Sequence, residues 1–299
     1  MTVCQLSPVT RKTHDPVIAR AGSALCLALV VCSGAASASG IPSAVIAPHE
    51  FDLPLNFTPI TEFVEYGYVN DDNRVYTLDG RTTDGPGGAS DVGIAKLAYL
   101  APLGDRFGYE LEVLLPLIRV TGRGSSALGA GDPIFAPVIW FKPTGNSTLG
   151  TDVLIQPAWG AERYTAHDLV VTPTLFYDVN WRKFNLDGDV GVSLPDNHDR
   201  EIAGIRSPAN TLFANVRFAY TFSTHWSPFL SADWRATGQG RNASDQSVPD
   251  SRSRELAVGG GVMWQPRSAT SLAVSYSRSV SGANVVQTNA LYFRYVNSW

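Results

Sequence analysis

Alternation of apolar and polar residues over long segments is the feature that most constrains the fold of this chain. From Phe107 to Leu117, large apolar side chains occupy every second position, and mostly glycine and glutamate fill the positions between them. Similar alternation recurs at 184–192 and 212–222. These segments run for about 10 residues, whereas strands of soluble proteins average about 5 to 6 and a tilted membrane-spanning strand needs about 9 to 11. The alternation therefore predicts an all-β protein whose strands cross a membrane.

Counting such segments back from the C-terminus predicts an antiparallel, up-and-down β-barrel of about 12 strands. The predicted strands cover 91–101, 107–118, 131–141, 147–158, 168–180, 183–193, 209–222, 225–236, 253–265, 270–280 and 288–298, with one more within 58–83. Short connectors alternate with long ones, as in barrels with short periplasmic turns and long external loops.

The region before residue 91 leaves the strand number open. Two strand-like segments, 59–68 and 75–79, flank the acidic sequence Asp71-Asp72-Asn73. The number of strands is even when both termini are periplasmic, so we interpret these segments as one long first strand that is broken at the acidic sequence. The alternative is a barrel of 14 strands.

The first 38 residues have the pattern of a secretory signal peptide. A basic region precedes a small apolar region, Ala21–Ser33, and an A-x-A cleavage site at Ala36-Ser37-Ala38. The apolar region is shorter than the ~20 residues that a transmembrane helix needs. We therefore expect residues 1–38 to be a signal peptide, 39–57 a periplasmic N-terminal segment and 58–299 the barrel.

Cysteine content and charge exclude several classes of function. All three cysteines, Cys4, Cys26 and Cys32, lie in the predicted signal peptide. The exported chain would therefore have no disulfide, thiolate nucleophile or cysteine-based metal site. Of the 23 Lys and Arg and the 27 Asp and Glu residues, three basic and one acidic lie in the signal, which leaves a net charge of −6. Without a basic run, this charge argues against a nucleic-acid partner.

Aromatic residues support a location in the outer membrane of a Gram-negative bacterium. Phe293, Tyr295 and Trp299 give the last strand an alternating aromatic pattern, which resembles the C-terminal signal recognised by the barrel assembly machinery. Tryptophans also lie at predicted strand ends, as in the aromatic girdles of such barrels. We expect the assembly machinery, outer-membrane lipid and lipopolysaccharide to be partners.

If the apolar faces contact lipid, the polar faces of the strands line the lumen. The candidate selectivity residues are Glu110, Glu112, Asp152, Asp187, Asp189, Arg217, Asp233, Arg235 and Arg294. The acids are concentrated on the third to seventh strands and the arginines on the eighth, ninth and twelfth, so opposed walls could orient dipolar solutes. Alternatively, the charges only satisfy each other, and Asp187 or Asp189 could pair with Arg217 in this way.

Catalytic and metal-binding signals are weak. His167-Asp168 and His198, within Asp196–Asp199, lie in predicted external loops, and either could be half of an Asp/His pair. No second acidic pair can be placed opposite them, so solvated loop histidines are the simpler interpretation. The sequence contains no phosphate-binding loop, dinucleotide fingerprint or HExxH motif. We expect no catalytic activity, metal or cofactor.

One short motif points to a family. Gly129-Ala130-Gly131-Asp132-Pro133, which opens a strand after a long loop, resembles the G-x-G-D signature of the outer-membrane family named for the meta-pathway of phenol degradation. The preceding strand with Leu115-Pro116 and the succession of strands to the C-terminus also resemble that family, over residues 58–299. The resemblance implies a transporter for small, often aromatic or hydrophobic compounds, and it gives no functional residues to carry over.

The function expected from the sequence is therefore an outer-membrane channel or transporter for small organic solutes, with aromatic or hydrophobic compounds as candidates. Two alternatives stay open. One is a rim enzyme that hydrolyses lipid or peptide, and the other is a non-conducting structural or adhesive barrel.

Overall fold

The computed structural model describes residues 46–122, 125–198 and 201–299, and its regular structure consists of β-strands. In chain order the strands are β1 (Ile60–Asp71), β2 (Arg74–Tyr76), β3 (Thr82–Asp84), β4 (Ala89–Leu103), β5 (Phe107–Gly122), β6 (Ser125–Ala130), β7 (Ile134–Thr144), β8 (Ser147–Gln156), β9 (Val170–Trp181), β10 (Phe184–Pro195), β11 (Thr211–Tyr220), β12 (Trp226–Thr237), β13 (Ser253–Arg267), β14 (Thr270–Ala283), β15 (Val285–Val286) and β16 (Asn289–Ser298). Within these described ranges, no helix is long and apolar enough to span a membrane.

Twelve strands form one closed antiparallel sheet, which confirms the predicted β-barrel and its strand number. The ring consists of β1, β4, β5, β7 to β14 and β16, and β6 is an extra strand that pairs with the end of β5. Strand β1 closes the ring because it pairs with β4 on one side and with β16 on the other. At this seam, Glu62 lies opposite Ser298 and Asn70 lies opposite Ala290.

The interpretation of 58–83 as one long broken strand is wrong. Strand β1 ends at Asp71, where a carboxylate oxygen accepts the backbone N–H of Asn73 and turns the chain. The next residues form β2, which pairs with β3 and β15 in a separate three-stranded sheet among the external loops. The second strand-like segment therefore lies at the long-loop end of the barrel and adds no strand to the ring.

The connectors differ between the two ends of the barrel. At one end, five turns of two to five residues join neighbouring strands, and the β9–β10 turn consists of Arg182 and Lys183. The other end carries the longer connectors, including β2, β3, β6 and β15. Because outer-membrane barrels have short periplasmic turns, we assign the short-turn end to the periplasm.

Alternation along each strand separates an outer surface from the lumen. On β5, Leu111 and Leu115 are 56% and 57% exposed, whereas Glu110, next to Leu111, is 4% exposed. Aromatic pairs flank this apolar surface near the short-turn end: Trp226 and Trp264 have ring centroids 6.0 Å apart, and Phe107 and Phe141 have centroids 6.1 Å apart. Such an outer surface is typical of a barrel whose apolar band is covered by hydrocarbon.

The outward position of Leu115 in the middle of β5 generates a test. We expect Leu115→Arg to lower the free energy of unfolding by about 2 to 4 kcal/mol, because it places a charge in the hydrocarbon layer. Leu128→Arg is the matched control because Leu128 lies on β6, outside the ring, and its loss should be about 0 to 1 kcal/mol. Urea unfolding of the protein refolded in phosphatidylcholine vesicles measures both, and equal losses would contradict the membrane-embedded band.

Candidate functional site

Residues 46–57, here called the plug, precede β1 and lie inside the barrel near its short-turn end. Trp140 Nε1 on β7 donates a 2.9 Å hydrogen bond to the Pro54 carbonyl oxygen, and Phe51 stacks on Phe176 of β9 with ring centroids 4.5 Å apart. The sequence predicts a periplasmic N-terminal segment at residues 39–57. Residues 39–45 and the predicted signal peptide, 1–38, lie outside the described residues, whereas 46–57 enter the lumen.

Apolar packing holds one side of the plug. Phe51, Leu53, Leu55 and Phe57 pack against a buried cluster on the inner wall, in a run of alternating apolar residues. The wall cluster consists of Ala98, Leu100, Val138, Trp140 and Phe176. Glycines make room for its two large rings, because a Cβ at Gly108 would lie 2.2 Å from the Trp140 ring and a Cβ at Gly150 would lie 2.2 Å from the Phe176 ring.

Polar contacts fix the backbone of the plug to β10. The Asp187 carboxylate accepts the backbone N–H of His49 at 2.5 Å and that of Phe51 at 3.2 Å. Burial lowers the pKa of the His49 ring, and the nearby Asp52 carboxylate opposes this effect. The His49 ring is therefore neutral near pH 7, and it adds no charge to this buried part of the plug.

Two arginines hold the start of the plug. Arg217 Nε on β11 donates to the Ile46 carbonyl oxygen at 2.8 Å. Arg294 Nε on β16 lies 2.8 Å from Glu50 Oε2, and the other Glu50 oxygen accepts a 2.9 Å hydrogen bond from the Tyr66 hydroxyl. The plug therefore contacts wall strands around much of the ring.

The structure places all nine candidate selectivity residues on the inner side of the barrel, and most of their charges are paired. Lys96 Nζ lies 3.2 Å from Glu110 and 2.6 Å from Glu112. The remaining pairs are Arg217–Asp233 at 2.7 Å, Arg235–Glu255 at 2.7 Å and Arg294–Glu50 at 2.8 Å. Each arginine of the predicted basic wall thus has an acidic neighbour. The role of the nine residues in selectivity stays a prediction.

Asp187, Asp189 and Arg217 differ from the pairing that the sequence suggested. Asp187 lies opposite Arg217 in the β10–β11 register, but the arginine forms its ion pair with Asp233 on β12. Asp187 binds the plug, and Asp189 accepts a 2.7 Å hydrogen bond from the Asn215 side chain. Sequence alternation identified the inward faces, but it could not identify these partners.

Between the plug and the long loops, the lumen opens into a cavity of about 450 Å³. The plug supplies Ile46, Glu50 and Phe51 to its floor. Its apolar wall includes Ile94, Leu114, Ile134, Leu154 and Phe213, and its polar wall includes Lys96, Glu112, Asp152, Thr174, Asp189 and Arg235. A concave site of this size, with apolar walls and a few polar groups, is typical of small-molecule binding.

Asp132, the acid of the Gly129–Pro133 motif, anchors the external loop 157–169. Its side chain is fully buried, and its two oxygens accept the backbone N–H groups of Gly160 and Ala166, each at 2.7 Å. The Tyr164 ring packs over Gly129, where a Cβ would lie 2.6 Å from the ring. The motif therefore fixes the loop that supplies Ala166 and Asp168 to the cavity. Sequence reasoning located the motif but missed this contact.

The two Asp/His candidates of the external loops contribute to a single pair. His198 Nδ1 lies 3.3 Å from Asp168 Oδ2, and both residues line the cavity. No described serine or threonine hydroxyl forms a hydrogen bond with the His198 ring, so the described contacts do not form a nucleophile–histidine–acid arrangement. Asp199 of the same motif lies outside the described residues.

A comparison with protein families agrees with this architecture. The family model described as "Putative MetA-pathway of phenol degradation" matches residues 72–295. The chain belongs to this family. The resemblance that was inferred from the Gly129–Pro133 motif is therefore confirmed. No curated protein sequence matches the chain.

Solved structures are similar in fold. An outer-membrane channel from Pseudomonas putida F1 superposes with a TM-score of 0.74 and 17% identity, and the match covers 85% of this chain and 100% of that one. The monoaromatic hydrocarbon channel CymD is more distant, with a TM-score of 0.47 and 8% identity over 87% of this chain and 95% of that one. A FadL homologue from Pseudomonas aeruginosa has a TM-score of 0.41 and 12% identity over 80% of this chain and 88% of that one. The superposition on the Pseudomonas putida channel shows that the two proteins share a fold.

Trypsin provides a test of the loop anchor because loop 157–169 contains Arg163. We expect Asp132→Ala to speed cleavage after Arg163 at least about tenfold, since each lost hydrogen bond to a buried charge contributes roughly 1.5 to 3 kcal/mol. Asp105→Ala, in a turn at the opposite end of the barrel, is the control. The measurement is the rate of fragment formation from the folded protein in detergent. Equal rates for both variants would refute the anchoring role of Asp132.

Proposed function

We propose that this protein is a channel of the Gram-negative outer membrane for small, largely apolar organic solutes, and that the plug must move before a solute can pass. The observation that carries the proposal is the cavity of about 450 Å³, which is bordered by the long loops at one end and by the plug at the other. A solute that enters from the long-loop end would bind above the plug, against the apolar wall.

The attachment of the plug supports its movement. Among the described residues, the plug forms no strand pairing with the barrel wall, and its contacts are side-chain packing, ion pairs and hydrogen bonds to side chains. Its release would therefore leave the backbone hydrogen bonds of the ring intact. Closed barrels keep their structure through those inter-strand bonds.

The solute class follows from the cavity lining. Ile94, Leu114 and Ile134 belong to one buried cluster of the inner wall, and Leu154 packs against that cluster. An organic molecule with an aromatic or aliphatic body would remove this apolar surface from water, which stabilises binding by about 25 cal/mol per Å² buried. The family description, which refers to phenol degradation, is consistent with such solutes.

A non-conducting structural barrel is the second candidate, and the plug is the observation that favours it. The plug packs against wall side chains near the short-turn end of the lumen, through Trp140, Phe176 and Asp187 among others. If these contacts never break, no solute crosses. Flux measurements decide between the two candidates.

The test compares the protein with a variant that lacks residues 46–57, both reconstituted in proteoliposomes. The probes are phenyl glucoside, an aromatic solute that does not cross lipid unaided, and raffinose, a bulkier sugar without an apolar body. We expect the intact protein to pass phenyl glucoside in preference to raffinose. Removal of the plug should raise both fluxes at least tenfold and reduce the preference.

Single substitutions control for the deletion. Asp187→Ala removes the acceptor of the His49 and Phe51 N–H groups and should give an intermediate increase in flux, whereas Asp105→Ala should give none. Correct folding is verified by heat-dependent mobility on gels. No phenyl glucoside flux through any of these folded proteins would favour the structural barrel.

A further inference from the structure

We propose that the cavity above the plug selects organic ammonium ions, which combine a positive head with an apolar body. The carboxylates of Asp152 and Asp189 would receive the head. This inference rests on the proposed function and deepens it, because it assigns a charge to the solute.

The basic side chains that line the cavity are already neutralised. Lys96 lies within 3.2 Å of both Glu110 and Glu112, so two acids already share its single positive charge. Arg235 lies 2.7 Å from Glu255. Neither cation is therefore available as a full counter-charge for other acids of the cavity.

Asp152 and Asp189 line the same cavity, where Lys96 acts on Asp152 and Arg217 acts on Asp189 from beyond ion-pair distance. Asp152 projects from β8, and Asp189 projects from β10 on the other side of β9. In the described part of the chain, neither carboxylate forms an ion pair with a lysine or arginine, and the described hydrogen-bond partner of Asp189 is the neutral Asn215. One oxygen of Asp152 is buried without a hydrogen-bond partner. A half-buried carboxylate in this situation is unfavourable, and an entering cation would relieve it.

Two further polar groups of the cavity point to a ligand that donates hydrogen bonds. Asp168 at the rim is 6% exposed, and its Oδ1 is buried without a hydrogen-bond partner. Thr174 on β9 lies opposite Asp152 in the strand register and is 3% exposed, and its hydroxyl lies beside the Asp152 carboxylate without a well-formed hydrogen bond. Buried polar atoms are nearly always hydrogen-bonded, so these orphan atoms mark places where a bound solute would complete the bonding.

The apolar wall beside Asp152 suits the body of such an ion. Leu154 lies two residues from Asp152 on the same inward face of β8, and it packs against the cluster that contains Leu114 and Ile134. An ammonium head at Asp152 and Asp189 would therefore leave its attached chain or ring against Leu154. An ammonium head donates hydrogen bonds that carboxylate oxygens accept, whereas a carboxylate head would be repelled.

The test measures binding to the full chain in detergent by titration calorimetry at pH 7.5 and low salt. The probes share a phenylethyl body: 2-phenylethylammonium, the neutral 2-phenylethanol and the anionic 3-phenylpropanoate. We expect the ammonium probe to bind at least tenfold more tightly than the alcohol, and the anion to bind most weakly. The double variant Asp152→Asn, Asp189→Asn should abolish the preference for the cation over the alcohol.

The isosteric control is Asp105→Asn, which lies in a short turn away from the cavity and should keep the full preference. The single variant Asp152→Asn replaces the double variant if the latter does not fold. Equal binding of the ammonium and the alcohol to the unmodified protein would overturn the inference, as would a preference that survives in the double variant. Flux of phenyl glucoside, a neutral solute, is measured separately, so the proposed function can stand when this inference fails.

Discussion

Every feature of this protein depends on the closure of its sheet by the pairing of β1 with β16. In hydrocarbon, backbone N–H and C=O groups have no water to bind, so each strand of a membrane-spanning sheet needs a neighbour on both sides. The seam runs from Glu62 opposite Ser298 to Asn70 opposite Ala290, and it joins the first strand to the last. Only a closed ring has an interior that can hold a plug and a cavity, so the functional site exists because the edge strands meet.

The interior of the ring divides into a filled part and an open part. Near the short turns, the rings of Trp140 and Phe176 pack with the plug. Hydrogen bonds from Trp140 to a plug carbonyl and from a plug N–H to Asp187 hold the plug in place. Toward the long loops, the wall keeps its apolar character and surrounds the cavity, into which Asp152 and Asp189 project. Asp132 fixes one rim loop, and the His198–Asp168 contact joins two loops over the mouth. The anchored rim loops and the attachment of the plug through side chains are consistent with the gated channel that we propose.

The sequence predicted the ring well, because each membrane-spanning strand carries its own local signal. Alternation on β5 identified both the strand and its lipid-facing side, and the count of such segments together with the even strand number gave the correct total of 12. The error at 58–83 has a physical cause: β2 is three residues long and pairs with β15, more than 200 residues away along the chain. A strand this short has no periodicity, and its partner cannot be identified locally.

The candidate site was predictable in part. Inward faces followed from alternation, so all nine charged candidates lie inside the barrel, but ion-pair partners depend on side-chain reach across two strands and on the plug. Arg217 illustrates this, because its partners are Asp233 on β12 and the carbonyl oxygen of Ile46. A signal for the plug does exist in the sequence: Phe51, Leu53, Leu55 and Phe57 alternate before the first strand. Pro54 interrupts that run and argues against a ladder strand, which is consistent with its place inside the ring.

The short tether between the plug and β1 constrains the order in which the molecule assembles. Only Thr58 and Pro59 separate residue 57 from Ile60, where the seam strand begins. A link of two residues keeps the plug close to the start of β1. The plug must therefore point inward before β1 pairs with β16, or it must enter the lumen afterwards through the short-turn end. Placement of the plug in the lumen and closure of the ring by β1 and β16 are therefore coupled steps of folding.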